Sequence, residues 1–491
     1  MSFPSSQIGL PSSLDYKLPP SLSESARSYS VNVSPDGQTS VTGPNNNNAI
    51  FVANNTGSFG NFSSQVISFT IPSGMSDSVF MDPASTSLSF TMQYTTTATA
   101  VSATGPQFNL IGSGASWFDQ LVLYSNNVPI ETVGQYGLLQ NFLLQNTVNP
   151  AERNGGLSVC MGCDTALGLN GIDLGSTAST TFRYSFTIPL LSVIGANSDK
   201  FIPIGSINNL QLQMTTANII PLVSYASAVT TTPNIGAITL ADFTLNMKYI
   251  DISESASNLL KQTLVDGKWF IKSQTYTNSA VTIPNSSFGS QQLLLQIRNT
   301  SVKSILHQFG SAQSATTPNG YYDAVNISLN TRNCQVGGSY YPNKPINDIA
   351  RPSEGYPYLI QALAQGGGIT KSYGTCVTRP MYMTNISALT GLNADSGYTV
   401  LTGANCIRTT ALGDNSSFSN VTQYPCSFYC GYDLEKSSGV LFQGVNTRAQ
   451  PPFLNLNIGT AVPTTIICQA WGLSDVILSI DLMAKQVQAF I

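Results

Sequence analysis

The chain has 491 residues, of which 20 are basic and 24 acidic, and its net charge of −4 is spread without a basic or acidic block. An average soluble domain is about 25% charged, so roughly 120 charges would be usual at this length, and the clustered Lys and Arg that give non-specific nucleic-acid affinity are excluded. One histidine, His307, leaves nothing from which to build a His-rich metal site or freely assemble a His-based triad, whereas 42% hydrophobic residues supply a large core.

Met1 to Leu10 shows neither a basic nor an apolar signal region, and no run approaches 18 apolar residues. The expectation is a soluble protein made in a reducing compartment. Eight cysteines imply no disulfide scaffold. Residues 1–47 are rich in Ser, Pro, Asn and Gly, end in Pro44-Asn45-Asn46-Asn47-Asn48, and read as a flexible N-terminal arm.

From about Asn61 the pattern alternates. Ile67, Phe69 and Ile71 are interleaved with Ser68 and Thr70, and Leu88, Phe90, Met92 and Tyr94 with Ser89, Thr91 and Gln93. Phe182 to Ile188, Leu210 to Met214 and Phe243 to Tyr249 repeat the pattern. A period of two places alternate side chains on one sheet face, so these are half-buried antiparallel strands. Their polar positions carry Ser, Thr, Asn and Gln rather than Lys and Glu. Such faces suit burial against other subunits without stranded charges, or equally an ordinary β-sandwich of low surface charge. Helical period marks only Glu131–Asn146, Ser253–Val265 and Glu354–Gln365. Ser253-Glu254 opens the middle one with a capping residue and a first-turn carboxylate, making residues 253–267 a helical linker between halves 48–252 and 268–491.

The halves echo one another. Ser116–Tyr124 precedes the helix with Leu138-Leu139-Gln140-Asn141-Phe142, and Ser301–Phe309 precedes Leu359-Ile360-Gln361-Ala362-Leu363. Leu210–Met214 then answers Leu454–Ile458, and Phe243–Tyr249 answers Val476–Leu482. Each half holds about 200 residues, enough for eight strands with long loops, the size of a jelly roll.

Four constellations touch on chemistry. Cys160-Met161-Gly162-Cys163 and Cys426 with Cys430 have metal-like spacing, but one four-thiolate site needs the pairs to meet across the halves, so separate small thiols are expected. His307 shares strand parity with Ile305 and Phe309 and reads as a packed strand residue. Asp433 and Glu435 share parity and offer a glycosidase-like acid pair, unsupported by a row of Trp since the chain has three. Gly366-Gly367-Gly368 follows a helix rather than preceding one and reads as a helix stop, not a phosphate loop. No catalytic, cofactor or metal residue is therefore assigned, and the protein is not expected to be an enzyme.

The segment Ser116-Trp117-Phe118-Asp119-Gln120-Leu121-Val122-Leu123-Tyr124 through Tyr136-Gly137-Leu138-Leu139-Gln140-Asn141-Phe142 resembles double jelly-roll major capsid proteins, those of polinton-like viruses, adintoviruses and virophages. Similar segments follow in the same order: Lys200–Gly205, Tyr249–Ser253 with Gly267-Lys268-Trp269, Gly338–Ile346, and Asp433–Lys436 to Gly444–Thr447. The resemblance covers roughly residues 60 to 490 and rests on collinearity; this chain departs from it in its scarcity of Lys and Arg. It implies an all-β fold of two eight-stranded antiparallel jelly rolls side by side, and a homotrimer of pseudo-hexagonal outline tiling an icosahedral shell in the virion. The implied partners are neighbouring capsomers and penton and minor or cement capsid proteins, with no sequence-specific nucleic-acid binding, no cofactor, and no positive support for contact with an internal membrane. In that setting the arm orders only against neighbours, through Phe3, Ile8, Leu10, Leu14 and Leu18. The insertions Ser311–Asn326 and Thr370–Tyr424 are expected on the outer face. A carbohydrate-binding or adhesive β-sandwich protein is the alternative.

Overall fold

The computed structural model describes residues 26–36, 50–53, 65–95, 107–110, 113–162, 181–195, 200–217, 222–224, 238–252, 254–262, 264, 266–311, 324–351, 353–363, 375, 377, 382, 427–435, 444–462 and 465–490. The first half contains β1 (Arg27–Val33), β2 (Ile50–Ala53), β3 (Val66–Ile71), β4 (Val79–Thr95), β5 (Gln107–Leu110), β6 (Phe118–Ser125), β7 (Val128–Gly134), β8 (Thr181–Pro189), β9 (Leu210–Thr216), β10 (Leu222–Ser224) and β11 (Ile238–Asp251). The second contains β12 (Lys268–Ile283), β13 (Gly289–Leu294), β14 (Val302–Ser311), β15 (Leu329–Val336), β16 (Ser339–Asn347), β17 (Cys430–Asp433), β18 (Phe453–Ile458), β19 (Ile466–Asp481) and β20 (Gln486–Phe490). Helices α1 (Tyr136–Thr147), α2 (Pro150–Asn154) and α3 (Gly156–Met161) lie between β7 and β8, α4 (Glu254–Lys261) joins β11 to β12, and α5 (Gly355–Ala362) follows β16.

The sheets run β1-β11-β4-β8 and β3-β9-β6-β7 in the first half, and β12-β19-β14-β17 and β13-β18-β15-β16 in the second. Set aside the short β2, β5 and β10 and the terminal β20, and the eight remaining strands of each half follow one permutation. Numbered along the chain, one sheet reads 1-8-3-6 and the other 2-7-4-5 in both halves. That is the jelly roll, built twice. The fourth and fifth strands form a two-residue hairpin in each roll. Asn126-Asn127 turns with positive φ at both residues, and Gly337-Gly338 turns at the matching place, as right-twisted strands require.

Alternation sets the core. Ile67, Phe69 and Ile71 of β3 and Leu210, Leu212 and Met214 of β9 are buried while their neighbours face outward. In the first roll Phe90 is the centre of an aromatic group, with ring centroids 5.3 Å from Phe118, 5.2 Å from Phe186 and 5.7 Å from Phe243. A separate buried cluster fills the second roll around Ile305, Phe309, Leu456 and Cys468.

The structure corrects the sequence reading in three places. Arg27–Val33 is no part of an arm: it pairs with β11 along its whole length, Arg27 opposite Asp251 and Val33 opposite Leu245. Its alternation of Tyr29, Val31 and Val33 with Ser and Asn was diluted by the polar composition around it. Residues 1–25, with Phe3, Ile8, Leu10, Leu14 and Leu18, lie outside the described residues. Second, Glu131 opens no helix. Val128 to Gly134, with Pro129 and β-branched Ile130, Thr132 and Val133, forms a strand, and a left-handed Gln135 breaks it before α1 begins. Third, the echo between halves is partly misaligned. Ser116–Tyr124 contributes the fourth strand of its roll, whereas Ser301–Phe309 contributes the third strand of the other. The remaining pairs of that echo, α1 with α5, β9 with β18 and β11 with β19, are topologically equivalent.

Removal of the central ring tests the first core. Phe90→Ala should cost ~3–5 kcal/mol, since the surrounding aromatics cannot collapse into the gap. Denaturant unfolding monitored by fluorescence and circular dichroism reads it, and a loss below ~1 kcal/mol would show that this ring is not a packing centre.

Candidate functional site

The chemistry-bearing residues of the sequence do not assemble into a reactive centre among the described residues. His307 is fully buried in β14, its ring stacked on Tyr432 at 5.5 Å and edge-on to Phe309 at 5.2 Å. Burial, reinforced by the nearby Arg332 charge, holds it well below the usual imidazole range, so it is a neutral core side chain. Asp433 accepts a hydrogen bond from the Glu435 N–H at 2.9 Å, while the Glu435 carboxylate pairs with Lys303 Nζ at 2.7 Å. The two acids are thus tied to a turn and a lysine rather than set across a cleft. Cys160 is exposed on α3 and Cys430 buried in β17; Cys163 and Cys426 lie outside the described residues. No group of three or more His, Cys, Asp and Glu able to hold a metal occurs among the described residues, and no described helix is long and apolar enough to cross a membrane. Most of the two insertions, residues 312–323 and nearly all of 364–426, also lie outside them.

What the structure does assemble is a seam between the rolls. Strand β7 and helix α1 of the first roll meet the β12–β19–β14 sheet of the second. Phe142 of α1 sits edge-on to Tyr429 at 4.8 Å and to Trp471 at 5.9 Å, and all three are buried. Trp471 Nε1 donates to the Gly134 carbonyl at 3.2 Å. Gly134 lies so close to Asn278 that an added Cβ would stand 3.3 Å from the Asn278 Cβ, tight enough to require adjustment. The C-terminal hairpin closes the other end, with Asn208 N–H donating to the Lys485 carbonyl at 2.9 Å.

A single carboxylate organises the middle of this seam. Glu131 of β7 is 2% exposed and accepts hydrogen bonds from Ser192 Oγ at 2.5 Å and Val193 N–H at 2.9 Å, both from its own roll. From the other roll Thr275 Oγ1 donates at 2.7 Å, and Ser273 Oγ donates to the Val193 carbonyl at 3.2 Å. Burial pushes the Glu131 carboxyl above its ordinary range, and these donors oppose the shift only in part. In a chain so poor in charge, a carboxylate inside Val128-Pro129-Ile130-Glu131-Thr132-Val133 was the available sequence signal.

Alongside lies a set of buried amides. Both polar atoms of Asn141, Gln145 and Gln308, and Asn146 Oδ1, have no protein hydrogen-bond partner. Left dry, seven such atoms at ~1–3 kcal/mol each would rival the ~5–15 kcal/mol stability of a whole domain.

A buried ion pair lies against Tyr382, one of the few described residues of the long insertion. Arg332 Nε and Nη2 donate to the two carboxylate oxygens of Asp348 at 2.9 and 3.4 Å, and Nη2 lies 3.4 Å from the Tyr382 hydroxyl. The guanidinium also stands 5.1 Å over the Phe428 ring. From the same insertion Thr375 Oγ1 donates to the Gln145 carbonyl of the first roll at 3.2 Å.

The outward faces of the sheets carry few charges and many mutually bonded neutral groups. Asn246 Nδ2 donates to Ser89 Oγ at 2.7 Å, and Ser89 Oγ is 2.9 Å from Thr187 Oγ1. In the second roll Gln292 Nε2 donates to Asn455 Oδ1 at 3.0 Å, and Asn455 Nδ2 to Asn333 Oδ1 at 3.1 Å.

No protein-family model matches the chain, and no curated protein matches it. Solved structures do match it over nearly its whole length. VP54 of PBCV-1, as fitted into a cryo-EM reconstruction of the virophage Sputnik, is similar at TM-score 0.53 and 11% identity, over 95% of this chain and 97% of that one. A quasi-atomic PBCV-1 capsid structure gives 0.51 at 10% identity, covering 94% and 95%. The mavirus major capsid protein gives 0.50 at 11% identity, covering 100% and 95%. At this identity the likeness is one of fold, and the fold is the double jelly roll.

The seam carboxylate has a pH signature. Because its folded-state pKa is raised, Glu131 contributes most below its unfolded value near 4.5, and that contribution is lost as pH rises through the higher folded value. Glu131→Gln copies the neutral acid and should gain in stability relative to the unmodified protein between pH 4.5 and 7.5. Glu131→Ala should cost ~2–4 kcal/mol at both by stranding the donors. Denaturation midpoints check this, and a Gln effect independent of pH would refute an acid favoured in its neutral form.

Proposed function

We propose that this protein is a major capsid protein, the structural building block of an icosahedral viral shell, working as a pseudo-hexagonal homotrimer within the virion. The carrying observation is the head-to-tail character of the seam. The fifth strand of the first roll, β7, meets the first strand of the second, β12. Their equivalents, β16 on the second roll and β1 on the first, stay largely exposed within one chain. A heterologous contact of this kind closes into a ring when the rotation allows. Three subunits with two similar rolls each give six similar units, the number a sixfold lattice position needs. The capsid origin of the matched structures supports the reading, and so do outward faces of neutral, hydrogen-bonded side chains, which lose water at an interface without the cost of an unpaired charge. Neighbouring capsomers follow as partners, with penton and minor or cement proteins as further ones. Catalysis has no part in this role.

A permanent interface of this class typically buries more than ~2,000 Å², so association and stability are coupled. Sedimentation with negative-stain microscopy should find trimers of hexagonal outline whose melting temperature rises with concentration; a stable monomer at micromolar concentration overturns the proposal. Tyr340→Asp places a charge on half-exposed β16 and should weaken the trimer about tenfold or more while leaving subunit circular dichroism unchanged.

The arm is assigned to assembly rather than folding, with Phe3, Ile8, Leu10, Leu14 and Leu18 as its anchors. Since β1 belongs to the first sheet, the test is deletion of residues 2–25 and not of the whole polar segment. Trimers should persist and shell assembly should fail. Loss of the trimer would place the arm in the subunit core instead.

A further inference from the structure

We infer that the seam between the rolls holds a small cluster of bound water molecules, clasped by the amides of Asn141, Gln145 and Gln308. These three side chains are at most 1% exposed, and neither polar atom of any of them has a protein partner. Their placement brings them together. Asn141 and Gln145 stand one helical turn apart on α1, both to the same side of Phe142. Phe142 reaches the second roll at Trp471, which lies opposite Leu306 in the β14–β19 ladder. Gln308 is two residues beyond Leu306 on the same face of β14, opposite Gln469, whose own Oε1 accepts from Asn278 at 3.4 Å. Helix amides and strand amides therefore both lie at the seam, beside the Phe142–Trp471 contact.

The chemistry of the groups selects the ligand class. Each amide presents both donor and acceptor and no charge, which suits water, itself both donor and acceptor. An anion would leave the amide oxygens unmatched, and a cation would leave the NH₂ groups unmatched. Buried waters make about three hydrogen bonds each, so two or three molecules would serve the amide atoms of this face. Asn146 Oδ1, on the same helix one residue beyond Gln145, is a further acceptor. The seam would then be part dry and part wet, its geometry fixed by Phe142, Trp471 and Glu131 and its remaining polar groups matched by solvent. This reading stands independently of the capsid role, because it concerns the subunit alone.

High-resolution density of the full-length protein, at about 2 Å or better, tests it directly. The expected result is two or three ordered peaks within hydrogen-bond distance of Asn141, Gln145 and Gln308. Amides turned into direct bonds with protein groups, or no peak between them, would overturn it. A second test separates a hydrated site from a dry, strained one. Gln308→Leu and Asn141→Leu each break a shared water network and should lower the melting temperature by at least ~3 °C, with the double variant losing less than the sum because both act on one cluster. An unchanged or raised melting temperature in either single variant, as follows when an unpaired amide leaves a dry site, refutes the cluster. So does strict additivity.

Discussion

Two eight-stranded sandwiches joined by one short helix would behave as two domains on a tether if nothing else held them, and interdomain surfaces of ordinary polar character permit such motion. The contact of β7 and α1 with the β12–β19–β14 sheet removes that freedom. The Phe142–Trp471–Tyr429 group supplies apolar burial, and Glu131 supplies direction, because its oxygens accept from both rolls at once. Apolar contact alone tolerates sliding; a buried carboxylate with three placed donors does not. The rest of the architecture, including which strand edges remain outside, follows from where this seam lies.

The scarcity of charge has a counterpart inside the molecule. Few ionisable residues are present, yet several are buried in structural roles: Glu131, favoured in its neutral form, in the seam, Arg332 with Asp348 against Tyr382, and Lys303 with Glu435 near the end of β17. A buried ion pair adds little net stability against an apolar replacement, but removal of one partner is costly. Arg332 illustrates the geometry this demands. An added Cβ on Gly355 would fall 1.9 Å from its Nη2, so a larger residue at the start of α5 would have to displace the guanidinium from its place beside Asp348. Buried ionisable groups specify position here, while the outer faces are left to hydroxyls and amides.

Much of the fold was legible because its signal is local. Period-two alternation in Val66–Ile71, Leu210–Thr216 and Phe453–Ile458 is a property of each strand alone, and the structure places each in a sheet with the apolar parity inward. His307 was legible on the same ground, from its parity with Ile305 and Phe309. The seam was not legible, since it depends on which faces of two rolls meet. The helical period of Glu131–Asn146 gives no sign that α1 is buried on nearly every side, Asn141 and Gln145 included. The misaligned echo has a related cause. Strands three and four of a jelly roll lie in different sheets yet share a similar apolar pattern, so order along the chain could not distinguish them.

The helices show how a repeated fold breaks its own symmetry. α1 and α5 both follow the fifth strand of their rolls, but they do not take equivalent places. α1 lies in the seam against Tyr429 and Trp471, while α5 packs on β17 and β14 of its own roll and adds Leu359 and Ala362 to the same buried cluster. Thr375 links the two helices, bonded both to Tyr356 of α5 and to the Gln145 carbonyl of α1. A head-to-tail contact between two like units requires this inequality, because each unit must present a different face to the other. The sheets could stay alike because they form the body of each roll. The described parts of the connections between the fifth and sixth strands diverge, since α1 and Thr375 both take part in the joint. Sequence likeness between the halves should therefore be weakest in those connections and strongest in strands such as β9 and β18, which face their own cores.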